Sequence, residues 1–403
     1  MQNEPTQLLT AGKRLISLDA FRGFTIAGMI IVNDAGSWSH VYPPLRHASW
    51  HGITPTDFVF PFFLFIVGVS IALAYTKRME RGVAVAQMSG KIWKRFFIIF
   101  ALGLFLALFP NFNFGNIRIP GVLQRIAIVF LVCAFIFLKT SWRTQLYTTI
   151  GLLVSYWLLM TLVPIPIDSV VQQAIETGEV MRSSGPVPVK VPRVISEGFI
   201  AANLEPGLNL QAWVDRHFVP GRLYEKTWDP EGLLSTLPAI ASGLTGMLAG
   251  KLWLSQQKME QKLIWLFTLG FAAIAIGGLW HYVFPYNKNL WSSSFVMYTS
   301  GLATMGLAAS IWLVDVLGYQ KWTKVGVIFG ANAITAYVLH GMLSHLFTKD
   351  LGLGMPLKKA IFDGMVNIGL EPMFASFLYA VGYTALCFIP IYIMYQRKIF
   401  IKI

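Results

Sequence analysis

Charge is scarce in this chain. Asp, Glu, Lys and Arg make up 13% of its 403 residues, 55% are hydrophobic, and the mean hydropathy is +0.59. Soluble domains carry roughly a quarter charged residues, so a deficit spread along the whole length places the protein in lipid. Cysteine is scarcer still. Cys133 and Cys387 both lie in apolar runs, too few and too deep for a disulfide framework. A compact small-residue cleavage site is also missing. The polar start, Met1 to Arg14, runs into an apolar span carrying Asp19 and Arg22, so no cleavable signal peptide is expected. No HExxH, CxxC pair, GxSxG, Walker loop or GxGxxG in strand context occurs, which leaves metal, serine-hydrolase and P-loop chemistry unsupported. No internal repeat stands out either.

What remains is a series of apolar runs. A spanning helix needs roughly 20 mostly apolar residues. Such runs fall at about 17–36, 54–76, 92–110, 121–139, 145–164, 231–250, 263–284, 290–316, 325–346 and 372–396. The predicted fold class is therefore all-α, a polytopic integral membrane helical bundle of about ten transmembrane helices. It forms a single domain, 1–403, with two segments outside the membrane. The longer, about 165–229, is rich in Pro, Val and charge before turning amphipathic near Leu208 to Phe218. The shorter, about 347–371, has room for a short surface helix.

A net charge of +13 would point to nucleic acid in a soluble protein. Here the cations cluster between spans, so they report orientation and no nucleic-acid partner is expected. Eighteen Lys and Arg fall on the side of the N-terminus, against Arg46, Arg118, Lys288, Lys349, Lys358 and Lys359 in the short loops opposite. Both termini are predicted cytoplasmic, and an even number of spans agrees with that. The 165–229 insertion then faces the far side, the periplasm in a bacterium.

Ionisable groups inside spans are costly and are functional candidates by default. Asp19 and Arg22 stand at i,i+3 and can pair, either as a structural lock or as part of a site. Arg22 and Asn33 point within about 20° of each other and lie about 16 Å apart along one helix. Asn33 sits at the outer end, where a helix-terminal role competes with a functional one. The first outer loop holds His47-Ala48-Ser49-Trp50-His51-Gly52, and Thr54-Pro55-Thr56-Asp57 opens the next span. A histidine a few residues before a buried carboxylate suits a general base, since its neutral form takes a proton at ordinary pH. Asp57 equally suits a helix cap. Gln124 and Arg125 begin the fourth span. Asp229-Pro230-Glu231-Gly232 fits a helix start, with a carboxylate cap, Pro first and Glu231 in the first turn. Asn287, Lys288 and Asn289 form a polar outer loop, and Asn332 and His340, eight apart in the ninth span, lean to one side of it.

These segments together resemble the heparan-α-glucosaminide N-acetyltransferase family. The likeness runs through Leu18-Asp19-Ala20-Phe21-Arg22-Gly23, Val32-Asn33, His47-Ala48-Ser49-Trp50 with Gly52, and Asp57-Phe58-Val59-Phe60-Pro61. It continues through Gly121 to Arg125, Asp229 to Gly232, Asn287 to Ser292, and Asn332 to His340, in one order. The resemblance implies transfer of acetyl from cytosolic acetyl-CoA to the amine of a terminal glucosamine across the membrane. It implies His47 as the active-site histidine and Asn33 as its partner. His51 departs from the animal pattern, where Asn is expected, and adds a second candidate base. The chain reads as a bacterial inner-membrane relative whose acceptor is a glucosamine-like sugar.

The expected chemistry has His47 take a proton from the attacking amine, Asn33 donate to the developing oxyanion, and Asp57 orient His47. Direct transfer and an acetyl-histidine route both remain open. Acetyl-CoA is a co-substrate and no metal is expected. Asp19, Arg22, His51, Gln124, Arg125, Glu231, Asn287, Lys288, Asn289, Asn332 and His340 complete the candidate binding set. Lys91, Lys94, Arg95 and Lys251 suit coenzyme A phosphates, although positive-inside placement also accounts for them. A rival reading is an amino-sugar permease using the same polar residues. Gly243, Gly246 and Gly250 allow close packing, within one chain or across a homodimer.

Overall fold

The computed structural model describes residues 15–350, 352 and 354–401. The polar start to Arg14, and Lys402, lie outside the described residues. The chain is mostly helical. In order come α1 (Ile16–Asn33), α2 (Val59–Glu80), α3 (Val85–Leu108), α4 (Val122–Lys139) and α5 (Trp142–Leu162). The insertion holds α6 (Ser169–Thr177) and α7 (Leu210–Phe218). The bundle resumes with α8 (Thr236–Leu254), α9 (Met259–His281), α10 (Ser293–Ser310), α11 (Lys324–Ala331) and α12 (Ala333–Phe347), and ends with α13 (Leu357–Asn367) and α14 (Pro372–Gln396).

Among the described residues eight helices are long and apolar enough to cross a membrane, or nine if one bent pair is a single span. Two of the ten expected spans depart from a plain helix. The third is present as α3, but it starts earlier and carries Lys91, Lys94 and Arg95 within its length. The ninth is broken at Asn332, with α11 and α12 meeting at 74°. Asn332 leaves the helical region, and its side chain donates to the Ile399 carbonyl and accepts from the Ile401 N–H, each at 3.0 Å. The expected common face of Asn332 and His340 therefore does not exist.

Helix–helix contact in lipid gains little from the hydrophobic effect and relies on close backbone approach. Three seams supply it. A Cβ on Gly68 of α2 would overlap the Gly243 carbonyl oxygen of α8, and one on Gly246 would overlap that of Phe65. In the same way Gly23 of α1 meets Gly326 of α11, and Gly301 of α10 meets Gly270 of α9. The glycine face of α8 is thus spent within one chain. α9 turns outward, with only 17% of its most apolar stretch buried, as a lipid-facing helix should. Cys133 and Cys387 are buried free thiols that pack in the core.

The insertion is a small α/β unit. Strands β1 (Ile165–Pro166), β4 (Val194–Ser196) and β5 (Phe199–Ile200) form an antiparallel sheet in the order β1-β5-β4. β2 (Glu179–Arg182) and β3 (Gly185–Pro188) form a separate hairpin. The amphipathic stretch is α7, and the 347–371 segment contains α13, both as the sequence pattern predicts. The insertion has its own core, joining Val171, Ala174, Leu208 and Trp228 to Tyr156 of α5 and to Phe284 and Leu290.

Candidate active site

The loop from Arg46 to Phe58 is folded around one carboxylate. Asp57 is 1% exposed, yet its hydrogen-bond partners come from this short stretch. Its Oδ2 accepts from Ala48 N–H at 3.2 Å and from the N–H and hydroxyl of Thr54 at 3.0 Å each. Its Oδ1 lies 2.6 Å from His47 Nδ1. Asp57 thus caps the turn opening α2 and orients His47; the two sequence readings are one arrangement. A carboxylate only accepts, so Nδ1 carries the hydrogen and Nε2 keeps the lone pair a base needs. His47 remains partly open to solvent, its side chain 40% exposed.

A second loop faces the first. Asn287 Oδ1 accepts from Leu290 N–H at 2.9 Å, and Trp291 is buried with φ of +52° while its indole donates to Ser242 Oγ. Gln211 of α7 donates to the Asn289 carbonyl at 3.1 Å, and the Tyr156 hydroxyl donates to that of Leu290. From this rigid turn Lys288 reaches out, its Nζ 3.1 Å from His47 Nδ1, 3.2 Å from Nε2 and 3.9 Å from Asp57 Oδ1. Nearly equidistant from the two ring nitrogens, the Lys288 ammonium sits against the imidazole, and Nε2 is the nitrogen left with a lone pair because Nδ1 donates to Asp57. Burial pulls the His47 imidazole below its ordinary value and the Lys288 charge adds to that, against the Asp57 hydrogen bond. Burial likewise lowers the Lys288 ammonium, with Asp57 and Glu231 opposing. The resting histidine is therefore neutral.

His51 has a different setting. Its Nδ1 is 3.4 Å from Asn287 Nδ2, its ring meets Trp50 edge-on, and among the described residues no carboxylate hydrogen-bonds to it. Burial lowers it too, Glu205 opposing. Of the two histidines, His47 is the one with the orienting carboxylate. The loops are tied together and to the insertion, since Gly52 N–H donates to the Tyr286 carbonyl at 2.8 Å and Trp50 Nε1 to that of Leu204 at 2.8 Å.

Beneath the insertion lies an ionic clamp that the sequence does not announce. Arg118, counted only as a loop charge, forks onto Asp229 at 2.8 and 2.6 Å and reaches Glu231 at 2.5 Å. Asp229 also accepts from the N–H groups of Tyr224 and Glu231. α8 begins only at Thr236, so Asp229-Pro230-Glu231-Gly232 is a clamp ahead of the helix rather than its cap. Gly232 packs so closely against the Asp215 carboxylate that a Cβ would overlap it. Glu231 is close enough to act on the charges of both His47 and Lys288.

The other candidates lie apart from His47, and several are buried in polar contacts of their own. Gln124 is buried against Gly103 and Gly121. Arg125 is 1% exposed, donates to the Gly232 carbonyl and Ser235 Oγ, and lies over the Trp291 ring. His340 pairs with buried Asp34 at 2.8 Å, and Ser344 donates to the same carboxylate. Asn33, beside Asp34, is exposed at the end of α1. Asp19 and Arg22 pair at 3.3 Å, and Arg22 also donates to Ser70 Oγ and to the Gly330 carbonyl at the broken span.

Arg22 leads to a second feature. A cavity of about 510 Å³ opens between α2, α3, α4 and the α11–α12 break, and Arg22, Arg78, Lys91, Lys94 and Arg95 line it. Along α2 it runs from Phe63 to Arg78, about 22 Å at 1.5 Å per residue. Its apolar end is thus about two turns from Asp57, and its cationic end about 30 Å away, a hydrocarbon thickness. Lys251 does not join it and instead sits over the Phe137 ring.

Residues 14–174 match the sequence profile described as heparan-alpha-glucosaminide N-acetyltransferase, catalytic. The chain is 31% identical over 432 aligned residues to the human heparan-alpha-glucosaminide N-acetyltransferase, covering 97% of this chain and 60% of that protein. It is 30% identical over 444 residues to the mouse protein of the same name, covering 99% of this chain and 62% of the relative. The chain therefore spans about three-fifths of the length of these relatives.

Proposed function

We propose, from the premise that this chain is a relative of the heparan-alpha-glucosaminide N-acetyltransferases, that it is a transmembrane N-acetyltransferase. It moves acetyl from acetyl-CoA, entering from the cytoplasm, to the amine of a glucosamine-like sugar on the opposite side. The observation that carries this reading is the alignment along α2: an oriented histidine at one end and a cationic cavity at the other. The nucleotide phosphates bind among Arg22, Arg78, Lys91, Lys94 and Arg95. The pantetheine arm runs past Ile71, Val67 and Phe63 and brings the thioester toward His47. There His47 Nε2 takes the proton of the attacking amine, Asp57 fixes its tautomer and steadies the imidazolium, and Asn33 donates to the oxyanion. The proton then passes to the departing thiolate. The setting is a bacterial inner membrane with both termini cytoplasmic.

The test is release of free thiol from acetyl-CoA by detergent-purified protein, with and without glucosamine, for wild type and His47→Ala. Glucosamine-dependent release that vanishes in the variant supports the assignment. The broken α11–α12 span lining the cavity favours a permease as the second reading, since interrupted helices line many transport paths. Glucosamine uptake into proteoliposomes without thiol release would select it.

A further inference from the structure

Lys288 is unusual in what it touches. Its ammonium lies 3.2 Å from the nitrogen that, in the proposed reaction, receives the acceptor's proton. A primary amine about 3 Å from a general base, oriented by a carboxylate, is also the arrangement the bound acceptor must reach. The turn beneath Lys288 is fixed by Asn287, the buried Trp291 and Gln211, so this placement belongs to the frame. Its side chain is still 23% exposed, so it is not sealed off from solvent.

We infer that Lys288 occupies the acceptor's place in the empty site and is itself acetylated when acetyl-CoA binds without an amino sugar. The inference rests on acetyl-CoA being the donor. The ammonium first loses one proton to water by way of His47, which is left neutral, a loss that burial makes easier. Nζ then attacks the thioester carbonyl, the N–C bond forms and the C–S bond breaks. The second amine proton passes through His47 Nε2 to the coenzyme A thiolate. The products are Nε-acetyl-Lys288, free coenzyme A and one proton. An amide does not return the acetyl group as a histidine adduct would, so the modified protein is a dead end and the sugar protects against it. Acetylation also removes the cation from Nε2, and the bulkier neutral side chain stays in the acceptor's path.

Full-length protein in detergent is incubated with acetyl-CoA alone, and acetyl-lysine is followed by peptide mass spectrometry at Lys288 and at the exposed Lys190. Lys288 is expected to react about 100-fold faster than Lys190, the size of a general-base contribution. Saturating glucosamine or His47→Gln should remove that advantage. Brisk glucosamine-dependent thiol release with Lys288 no faster than Lys190 overturns the inference and leaves the proposed function standing. Selective acetylation of Lys288 without glucosamine-dependent release supports the inference and refutes the acceptor assignment. If neither occurs, both fall.

Discussion

Replacing Asp57 by Asn keeps shape and removes one charge, and the surrounding donors dictate how the site responds. Three of them, Ala48 N–H, Thr54 N–H and the Thr54 hydroxyl, converge on Oδ2. Two are backbone donors and cannot become acceptors. The amide oxygen must therefore take the Oδ2 position, which turns the amide NH2 toward His47 Nδ1. That nitrogen must then accept, so the imidazole proton moves to Nε2 and the lone pair of the base is lost. The folding cost is modest, about 1–2 kcal/mol, because an accepting contact to His47 is exchanged rather than left unmade. The catalytic cost is large. Turning the orienting carboxylate of a catalytic histidine into an amide lowers turnover by about 10⁴-fold in triad enzymes, and a loss of about 10³- to 10⁴-fold is expected here. Thiol release measured against acetyl-CoA and glucosamine concentrations separates the effects: kcat should fall while KM for acetyl-CoA stays within about twofold, since the cationic end of the cavity lies about 30 Å away along α2. An Asp57→Asn enzyme whose kcat stays within about tenfold of wild type would refute the tautomer argument.

Other outcomes follow from the same geometry. Because burial lowers the His47 imidazole, the acid limb of the kcat/KM profile should lie below the ordinary histidine value of about 6.5, activity falling as the base is protonated. Changing Lys91 and Lys94 together to Gln should raise KM for acetyl-CoA about tenfold or more and weaken its salt dependence, with glucosamine KM unchanged in initial-rate assays. Arg118→Ala strands Asp229 and Glu231 and should cost about 3–5 kcal/mol, read as a drop in thermal unfolding temperature in detergent. Burial pushes the Asp215 carboxyl up to about 7. Its folded form holds a proton that its unfolded form, near 3.8, releases, so stability should fall as pH rises from about 4 to 7, by at most about 1.4 kcal/mol per unit. Unfolding temperatures of wild type and Asp215→Asn across that range should converge in slope only if Asp215 is not the source.

The spans were legible because the hydrocarbon slab imposes length and polarity on each helix separately, so runs such as 54–76 and 372–396 announce themselves. His47 and Asp57 were legible as a pair because both lie in one short loop. The clamp was not. Arg118 and Asp229 are 111 positions apart, and no local pattern says that a lone loop arginine will fork onto a distant carboxylate. Asn332 misled for a related reason, since the contacts its side chain makes at the break come from the distant C-terminal tail. The approach of Lys288 to His47 depends on the packing of two loops 241 residues apart and left no trace in the local sequence.

The way the insertion is fastened decides where this protein will accept foreign mass. Its far edge, Ser196-Glu197-Gly198 between β4 and β5, is exposed, and a dye or epitope there should leave acetylation rates unaltered. The neighbouring hairpin turn is a poorer host, because Ser183 and Arg182 are held by Glu225. The stretch from Gly221 to Leu233 will accept nothing: Arg222 N–H bonds to the Ile117 carbonyl, and Leu233 N–H to Asp215. A reporter therefore belongs on the outer sheet, where it adds mass without prying the insertion from the bundle.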